Sequence, residues 1–509
     1  MNVSSGTTLS IWAATEQIPS RQKLDKDARS NVCIVGAGIA GITTAYLLAR
    51  AGKSVIVLDD GPIGGGMTGR TTAHLVTALD DRYFELEELH GENGARLAAE
   101  SHAASIDQVE RIVHEEEIEC EFERLDGYLF VPPKESKEIL DRELQAAHRA
   151  GLTELEIVER APLPSFDTGK ALRFPNQAQF HPLKYLNGLA RAIEREGGKI
   201  YTQTHASKIE GGDRALIETS DGPKVEAEAV VIATNTPVND RFAIHTKQSA
   251  YLTYVIGALM DRGAVERALF WDTPHPYHYI RLERLDDRYD WLISGGEDHK
   301  SGQKNDANFR FAALERWTRT RFPITSVEYR WSGEVMEPVD GLAFIGRNPM
   351  DHDNVFIATG DSGNGMTHGT IAGMLISDLI LGKENEWAKL YEPSRKTLRA
   401  SGKFARENIN VAQQYADLVT GGEVDSADEI SPGSGAIIRR GLKKIAAYKD
   451  ESGSVHELSA FCRHLGCIVD WNSLEETWDC PCHGSRYDAL GHVIMGPSNS
   501  DLPTSADEI

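Results

Sequence analysis

Two pairs of residues, Cys462 with His464 and Cys480 with His483, constrain this 509-residue chain more than any other feature. They are spaced C-x-H and C-x-x-H, with fifteen residues between His464 and Cys480. Two thiolates suit one iron of a two-iron cluster and two neutral imidazoles suit the other, and exchanging thiolate for imidazole raises the cluster's potential. Zinc also takes two Cys and two His. C-x-H in place of C-x-x-C argues against a zinc ribbon, and so does the further pair Cys467 and Cys482. A chain with such a cluster moves single electrons.

The runs Cys462-Arg-His-Leu-Gly-Cys467 and Cys480-Pro-Cys-His-Gly-Ser485 resemble those of Rieske proteins, over about the last eighty residues. The resemblance is to the cytochrome bc type, since the ring-hydroxylating type lacks the extra cysteines. It implies Cys462 and Cys480 on one iron and His464 and His483 on the other. It also implies that Ser485 and Tyr487 donate hydrogen bonds to a sulfide and a ligand sulfur, favouring the reduced cluster. Cys467 and Cys482, each a few residues from a ligand pair, suit a disulfide pinning the two loops.

Near the other end, residues 31–35 form an apolar run of strand length that leads into Gly36-Ala-Gly38-Ile39-Ala40-Gly41 and a helical apolar pattern. The next apolar run ends on Asp59 and Asp60, Asp59 lying eighteen residues after Gly41. Gly36 allows the tight turn, Gly38 lets the backbone approach a pyrophosphate, and Gly41 lets helix and strand pack closely. The helix N-terminus favours the phosphate and the acid accepts from a ribose. This order of elements indicates a dinucleotide, NAD or FAD.

Further segments resemble the D-amino-acid oxidase and glycine oxidase superfamily, which implies FAD. One is the loop holding Gly69, Arg70, Thr71, Thr72, Ala73 and His74; another is Phe180-His-Pro182 with its following helix. Ala206, the strand return Ala233-Thr234-Asn235, Gly333, and the turn Gly360, Asp361, Gly363, Asn364, Gly365 and Met366 complete the expected cofactor contacts. The likeness spans about residues 30 to 395. It implies an α/β, overall α+β, architecture: a Rossmann-like FAD domain with a mixed-sheet substrate domain, then a small all-β Rieske domain. The expected FAD-binding parts are about 30–85, 170–240 and 335–395, within an oxidoreductase of residues 1–400. The substrate domain takes about 86–169 and 241–334, a helix and linker 401–427, and the Rieske domain 428–509. Residues 92–118, 134–150 and 403–419 read as helices.

Apolar content of 40% and mean hydropathy of −0.36 are those of a globular protein with ample core. No apolar run reaches about eighteen residues, so no transmembrane helix is expected. The N-terminus lacks a basic region followed by an apolar core, which argues for the cytoplasm. Six cysteines do not make a secreted disulfide scaffold. A net charge of −23 argues against nucleic acid or an anionic membrane as partner.

In the resembled superfamily, flavin takes a hydride from a carbon beside an amine nitrogen, whereas a Rieske cluster accepts one electron at a time. Their fusion implies a dehydrogenase for a small amine or amino acid that passes electrons singly to an external one-electron acceptor. One rival is an electron-transfer or redox-sensing protein without an organic substrate; another is a flavoenzyme with a structural Rieske domain. The candidate substrate residues are Arg281 as a carboxylate clamp and Tyr254, Tyr279 and Trp331 as pocket walls. His74 is placed as a base, a covalent flavin link or a hydrogen-bonding loop residue. Thr367 stands where sarcosine oxidases carry a basic Lys, which departs from that family's carboxylate recognition.

Overall fold

The computed structural model describes residues 5–132, 138–239, 244–274, 276–415, 421–441 and 443–505. The apolar run after residue 27 forms strand Ala28–Val35, paired in parallel on one side with Val55–Leu58 and on the other with Lys224–Ile232. Val355–Thr359 and Lys199–Tyr201 extend the parallel set, and antiparallel strands complete an eight-stranded sheet among the described residues. Helix Ile39–Arg50 covers one face, packed against Gly365–Ile380 and Pro182–Arg195. Strands buried on both faces read as unbroken apolar runs, which is why 31–35, 55–58 and 229–232 were legible.

A nine-stranded mixed sheet among the described residues is built around the long strands Gln248–Asp261, Tyr289–Lys300 and Ile324–Pro338. It also takes His74–Leu75 and Ala171–Gln179, from segments expected in the dinucleotide domain. The two sheets therefore exchange strands more often than the sequence ranges suggest. The expected helix 92–118 is observed as Tyr83–Glu115, with a break in helical geometry at Gly91. The helix from 134 is Glu138–Arg149, residues 133–137 lying outside the described ones. The stretch from 403 is Ser401–Gln414, and 416–420 also lie outside.

Small antiparallel sheets of three and four strands, from Ser434–Arg440 onward, make the C-terminal all-β unit. Its core holds Trp471, Trp478 and Tyr487 together with the four motif cysteines. Among the described residues no helix is long and apolar enough to cross a membrane.

Candidate active site and cluster site

Four parallel strands of the first sheet end at one place. Val35 runs into Gly36, Leu58 into Asp59, Ile232 into Ala233 and Thr359 into Gly360, and all four followers line one long cavity. Ligands of open α/β sheets bind at such carboxyl ends. Gly36 has φ +106°, and a Cβ there would stand 2.3 Å from the Ala233 carbonyl oxygen. A Cβ on Gly41 would lie 1.9 Å from the Gly36 oxygen, so this glycine lets helix and strand touch. Gly38 differs. An added Cβ meets only Thr68 Oγ1, at 3.0 Å, and the residue faces the cavity. That division of roles fits a dinucleotide pyrophosphate above Gly38.

Gly36, Gly38, Ile39, Ala40, Asp59, Asp60, Arg70, Thr71 and Thr72 line the cavity. So do Ala206, Ala233, Thr234, Asn235, Gly333, Gly360, Asp361, Gly363, Asn364, Gly365 and Met366. Gly41, Gly69 and Ala73 do not; they shape the turns behind it, and Ala73 takes φ +59°. Asp59 accepts from Ala37 N at 2.6 Å and Gly61 N at 2.8 Å. Burial, with Asp60 beside it, pushes its carboxyl up to about 7.

Several expected substrate residues take other positions. Arg281 is fully buried and donates to the carbonyls of Thr72 (3.1 Å), Ala73 (3.0 Å) and Phe180 (3.0 Å), with Glu283 as its charge partner. It ties the cofactor loop to the second sheet and offers nothing to a ligand carboxylate. Tyr254 lies on the opposite face of its strand, bonded to His299 Nε2 at 3.0 Å and packed edge-on against Phe311. Trp331 is fully buried and donates from Nε1 to the Arg70 carbonyl at 2.9 Å. Thr367 caps inward, its hydroxyl donating to Asn364 O at 3.1 Å. None of these four lines the cavity.

Tyr279 and His74 do line it. His74 hydrogen-bonds through Nδ1 to Thr72 Oγ1 (3.0 Å) and through Nε2 to Ile280 O (3.4 Å). A carbonyl only accepts, so Nε2 carries the proton and Nδ1 accepts from the threonine. Burial, then Arg281, pushes this histidine down to about 3. With both nitrogens engaged, it is a loop-holding group rather than a base.

Other lining residues escaped sequence reasoning. Asp80, Trp271, Tyr277 and Asp298 gather with Tyr279 at the end under the second sheet. Tyr277 donates to Asp80 Oδ2 at 2.9 Å, and Tyr279 Oη sits 2.6 Å from Thr253 Oγ1. Burial raises Asp80 to about 6 and Asp298 to about 7. Their only sequence signal was position near β-rich runs. The C-terminal unit itself supplies Val493, Met495, Gly496, Ser498 and Asn499 to the cavity wall. Asn499 Nδ2 donates to Ala206 O at 2.9 Å.

The cluster motif converges in that unit. His464 and His483 rings lie 4.9 Å apart, and the Cys462 thiol hydrogen-bonds with Cys480. Burial, then His464, pushes His483 down to about 3, leaving the neutral imidazole a ligand must be. Tyr487 Oη is 3.3 Å from Cys462 Sγ, and Ser485 bonds to the same thiol. Cys467 and Cys482 are disulfide-bonded, with Cα atoms 6.4 Å apart. Two thiols, two imidazoles and a hydroxyl on the sulfur are the donor set of a two-iron cluster with mixed ligands.

This unit is docked tightly. His245, buried in the larger part, packs against His464 at 4.6 Å and His483 at 5.9 Å between ring centroids. A Cβ on Gly484 would meet Ala250 Cβ at 2.6 Å and Glu334 Oε1 at 2.8 Å. Arg70, in the cofactor loop, and Glu475 form an ion pair of 2.8 Å that is closed to solvent. Burial alone would raise the Glu475 carboxyl; Arg70 and Arg486 overcome it and hold it below the usual range. The N-terminal segment joins in. Thr8 N donates to Glu475 Oε2 at 2.9 Å, and Arg486 Nη1 donates to Ser5 O at 2.9 Å.

Comparison with known proteins finds both domains. The family model for FAD dependent oxidoreductases matches residues 31–379, and that for the Rieske [2Fe-2S] domain matches 422–506. A protein of Bacillus subtilis named as a Rieske 2Fe-2S iron-sulfur protein, YhfW, is 32% identical over 502 residues, 96% of each chain. The gamma-glutamylputrescine oxidoreductase of Escherichia coli is 26% identical over 372 residues, covering 70% of this chain and 85% of its own. The crystal structure of glycine oxidase from Geobacillus kaustophilus superposes with a TM-score of 0.59 at 20% identity, covering 72% of this chain and 99% of that one; this likeness is one of fold. The chain belongs to the FAD dependent oxidoreductase family, with FAD as its cofactor, and carries a C-terminal Rieske domain for a [2Fe-2S] cluster.

Proposed function

We infer that this protein is a dehydrogenase for a small amine or amino acid, one that empties its flavin through the Rieske domain of the same chain to an external one-electron acceptor. The observation that carries this reading is the docking itself: the Rieske domain walls the FAD cavity with residues 493–496, 498 and 499, and the two loops of His464 and His483 are pressed onto His245. Bound FAD supplies a two-electron acceptor for hydride from a carbon beside nitrogen, and a [2Fe-2S] cluster supplies a one-electron acceptor. The chain does the rest. Gly36 and Gly38 admit the pyrophosphate, and Asp59 stands ready for a ribose. Arg281 and His74 fix the loop 70–74 beside the second sheet. Cys462, Cys480, His464 and His483 hold the cluster, and Tyr487 with Ser485 donates hydrogen bonds that favour its reduced, more negative state. The buried Arg70–Glu475 pair ties the Rieske domain to the cofactor loop.

Tyr487→Phe tests the route. It removes a hydroxyl from the Cys462 sulfur and leaves the cavity unchanged, so the cluster's potential falls. Stopped-flow flavin absorbance should then show unchanged reduction by substrate and slower reoxidation by an artificial one-electron acceptor. Reoxidation at the wild-type rate, with the potential lowered, would mean that electrons leave the flavin directly.

A further inference from the structure

The end of the cavity under the second sheet is built for positive charge. Among its described residues, Arg70 is the single arginine and no lysine is present. Arg70 is already spent. Its Nε donates to Ser5 Oγ at 2.7 Å, its Nη1 to Thr8 Oγ1, Ser332 O and Glu475, and its Nη2 to Thr8 O and Glu475. Arg281 does not line the cavity; behind the wall it donates to three carbonyls and pairs with Glu283. A substrate carboxylate entering here would meet no cation and would lose its hydration uncompensated.

Carboxyl groups, by contrast, are in excess in the lining. Asp80, Asp298, Glu334 and Asp361 all line the cavity. Asp298 Oδ1 is enclosed and has no hydrogen-bond partner among the described residues. A buried carboxylate oxygen left unmet is costly unless something else satisfies it. Between Asp80 and Asp298 stand two tyrosines, Tyr277 and Tyr279, with ring centroids 5.6 Å apart, and Trp271 closes the group beside His74 at 5.8 Å. Aromatic faces backed by carboxylates attract ammonium groups through the ring quadrupole and by direct charge. Each tyrosine has its hydroxyl committed, Tyr277 to Asp80 and Tyr279 to Thr253, which fixes the rings.

We propose that the substrate is a cationic amine without a carboxylate, of the diamine kind, whose ammonium seats among Tyr277, Tyr279 and Trp271 against Asp298 and Asp80. This rests on the amine-dehydrogenase reading above and narrows it: amino acids are excluded, and one ammonium of the substrate is held while the other nitrogen reacts.

Matched pairs differing by one carboxylate test it, on the full-length holoenzyme. Anaerobic flavin reduction is measured with putrescine against ornithine and with cadaverine against lysine. In parallel, thermal unfolding is followed with tetramethylammonium, which has no N–H to lose, against sodium acetate at equal ionic strength. Each diamine should exceed its amino acid in kcat/KM at least tenfold, a ratio of the size that one unmet charge produces. Tetramethylammonium should raise the unfolding temperature and acetate should not. Asp298→Asn, near in size to the original, should retain FAD while its ratio and the tetramethylammonium shift both collapse. Amino acids that match their diamines, or protection by acetate instead of tetramethylammonium, overturn the proposal and leave amine oxidation standing. If no member of either pair bleaches the flavin, the dehydrogenase reading fails. The tetramethylammonium arm then still decides whether the cavity takes a cation.

Discussion

Glu475→Gln separates what the docked interface contributes from what each domain contributes alone. The substitution keeps the shape and one acceptor oxygen, yet places an amide NH2 where the carboxylate took N–H bonds from Arg70 and Thr8. Arg70 then remains a buried cation beside Arg486, whose charge already works against it. Leaving one member of a buried pair uncompensated costs about 3–5 kcal/mol. At 1.4 kcal/mol per factor of ten, that is between about a hundredfold and a few thousandfold in the docking equilibrium. Calorimetry of the holoprotein reads it directly: the wild type should unfold in one transition, and the variant should show the Rieske domain melting first. Flavin fluorescence should report faster release of FAD, because the cavity loses the wall made by residues 493–499. Glu476→Gln, at the exposed neighbouring residue, is the control. A Glu475→Gln protein that unfolds and holds flavin like this control would refute the idea that the buried pair couples the domains.

Two further outcomes follow from other parts of the molecule. Gly38→Val should give folded protein without FAD, since a Cβ there meets only Thr68 Oγ1, whereas Gly41→Ala should fail to fold, its Cβ falling 1.9 Å from the Gly36 oxygen; flavin content per folded protein distinguishes them. The kcat/KM for a diamine should rise with pH through about 6 to 7, as Asp80 and Asp298 lose the protons that burial makes them keep, and level off above. The groups facing Asp298 are Thr253, Asp80, Tyr277, Tyr279, His278 and Arg310, and those facing Asp80 are Tyr277, Tyr279, Arg82, Asp81, Asp298, Glu337 and Asp361. A raised carboxyl also takes stability away as pH climbs from its unfolded value toward the folded one, so the contribution of Asp80 and Asp298 to stability falls between about 4 and 7. An Asp298→Asn profile with the same inflection near 7 would contradict this assignment.

What was legible in the sequence was local. The glycines of 36–41 and the ligands of 462–483 act through backbone geometry and near-neighbour spacing, so their residues carry the meaning wherever the rest of the chain goes. Tyr254 failed by a single residue: Thr253 and Val255 line the cavity, and alternation along the strand turns Tyr254 to the other face. Arg281 failed differently. It shares the face of Tyr279, but two residues further along the strand it lies beneath the loop 72–73, and only the fold says where that loop crosses. Asp80 and Asp298 carry no motif, and neither does the wall supplied by residues 493–499. Both arise from contacts hundreds of residues apart, such as Thr8 with Glu475 at a separation of 467.

That last contact has a consequence for how the molecule is made. Ser5 and Thr8 leave the ribosome 481 and 467 residues ahead of their partners Arg486 and Glu475. Until then the flavin pocket lacks a wall, and it is open to its cofactor. Once the Rieske domain docks, that wall is in place. Flavin that arrives before docking therefore meets a cavity with one side missing, and flavin that arrives afterwards must pass the wall that Val493, Met495, Gly496, Ser498 and Asn499 supply.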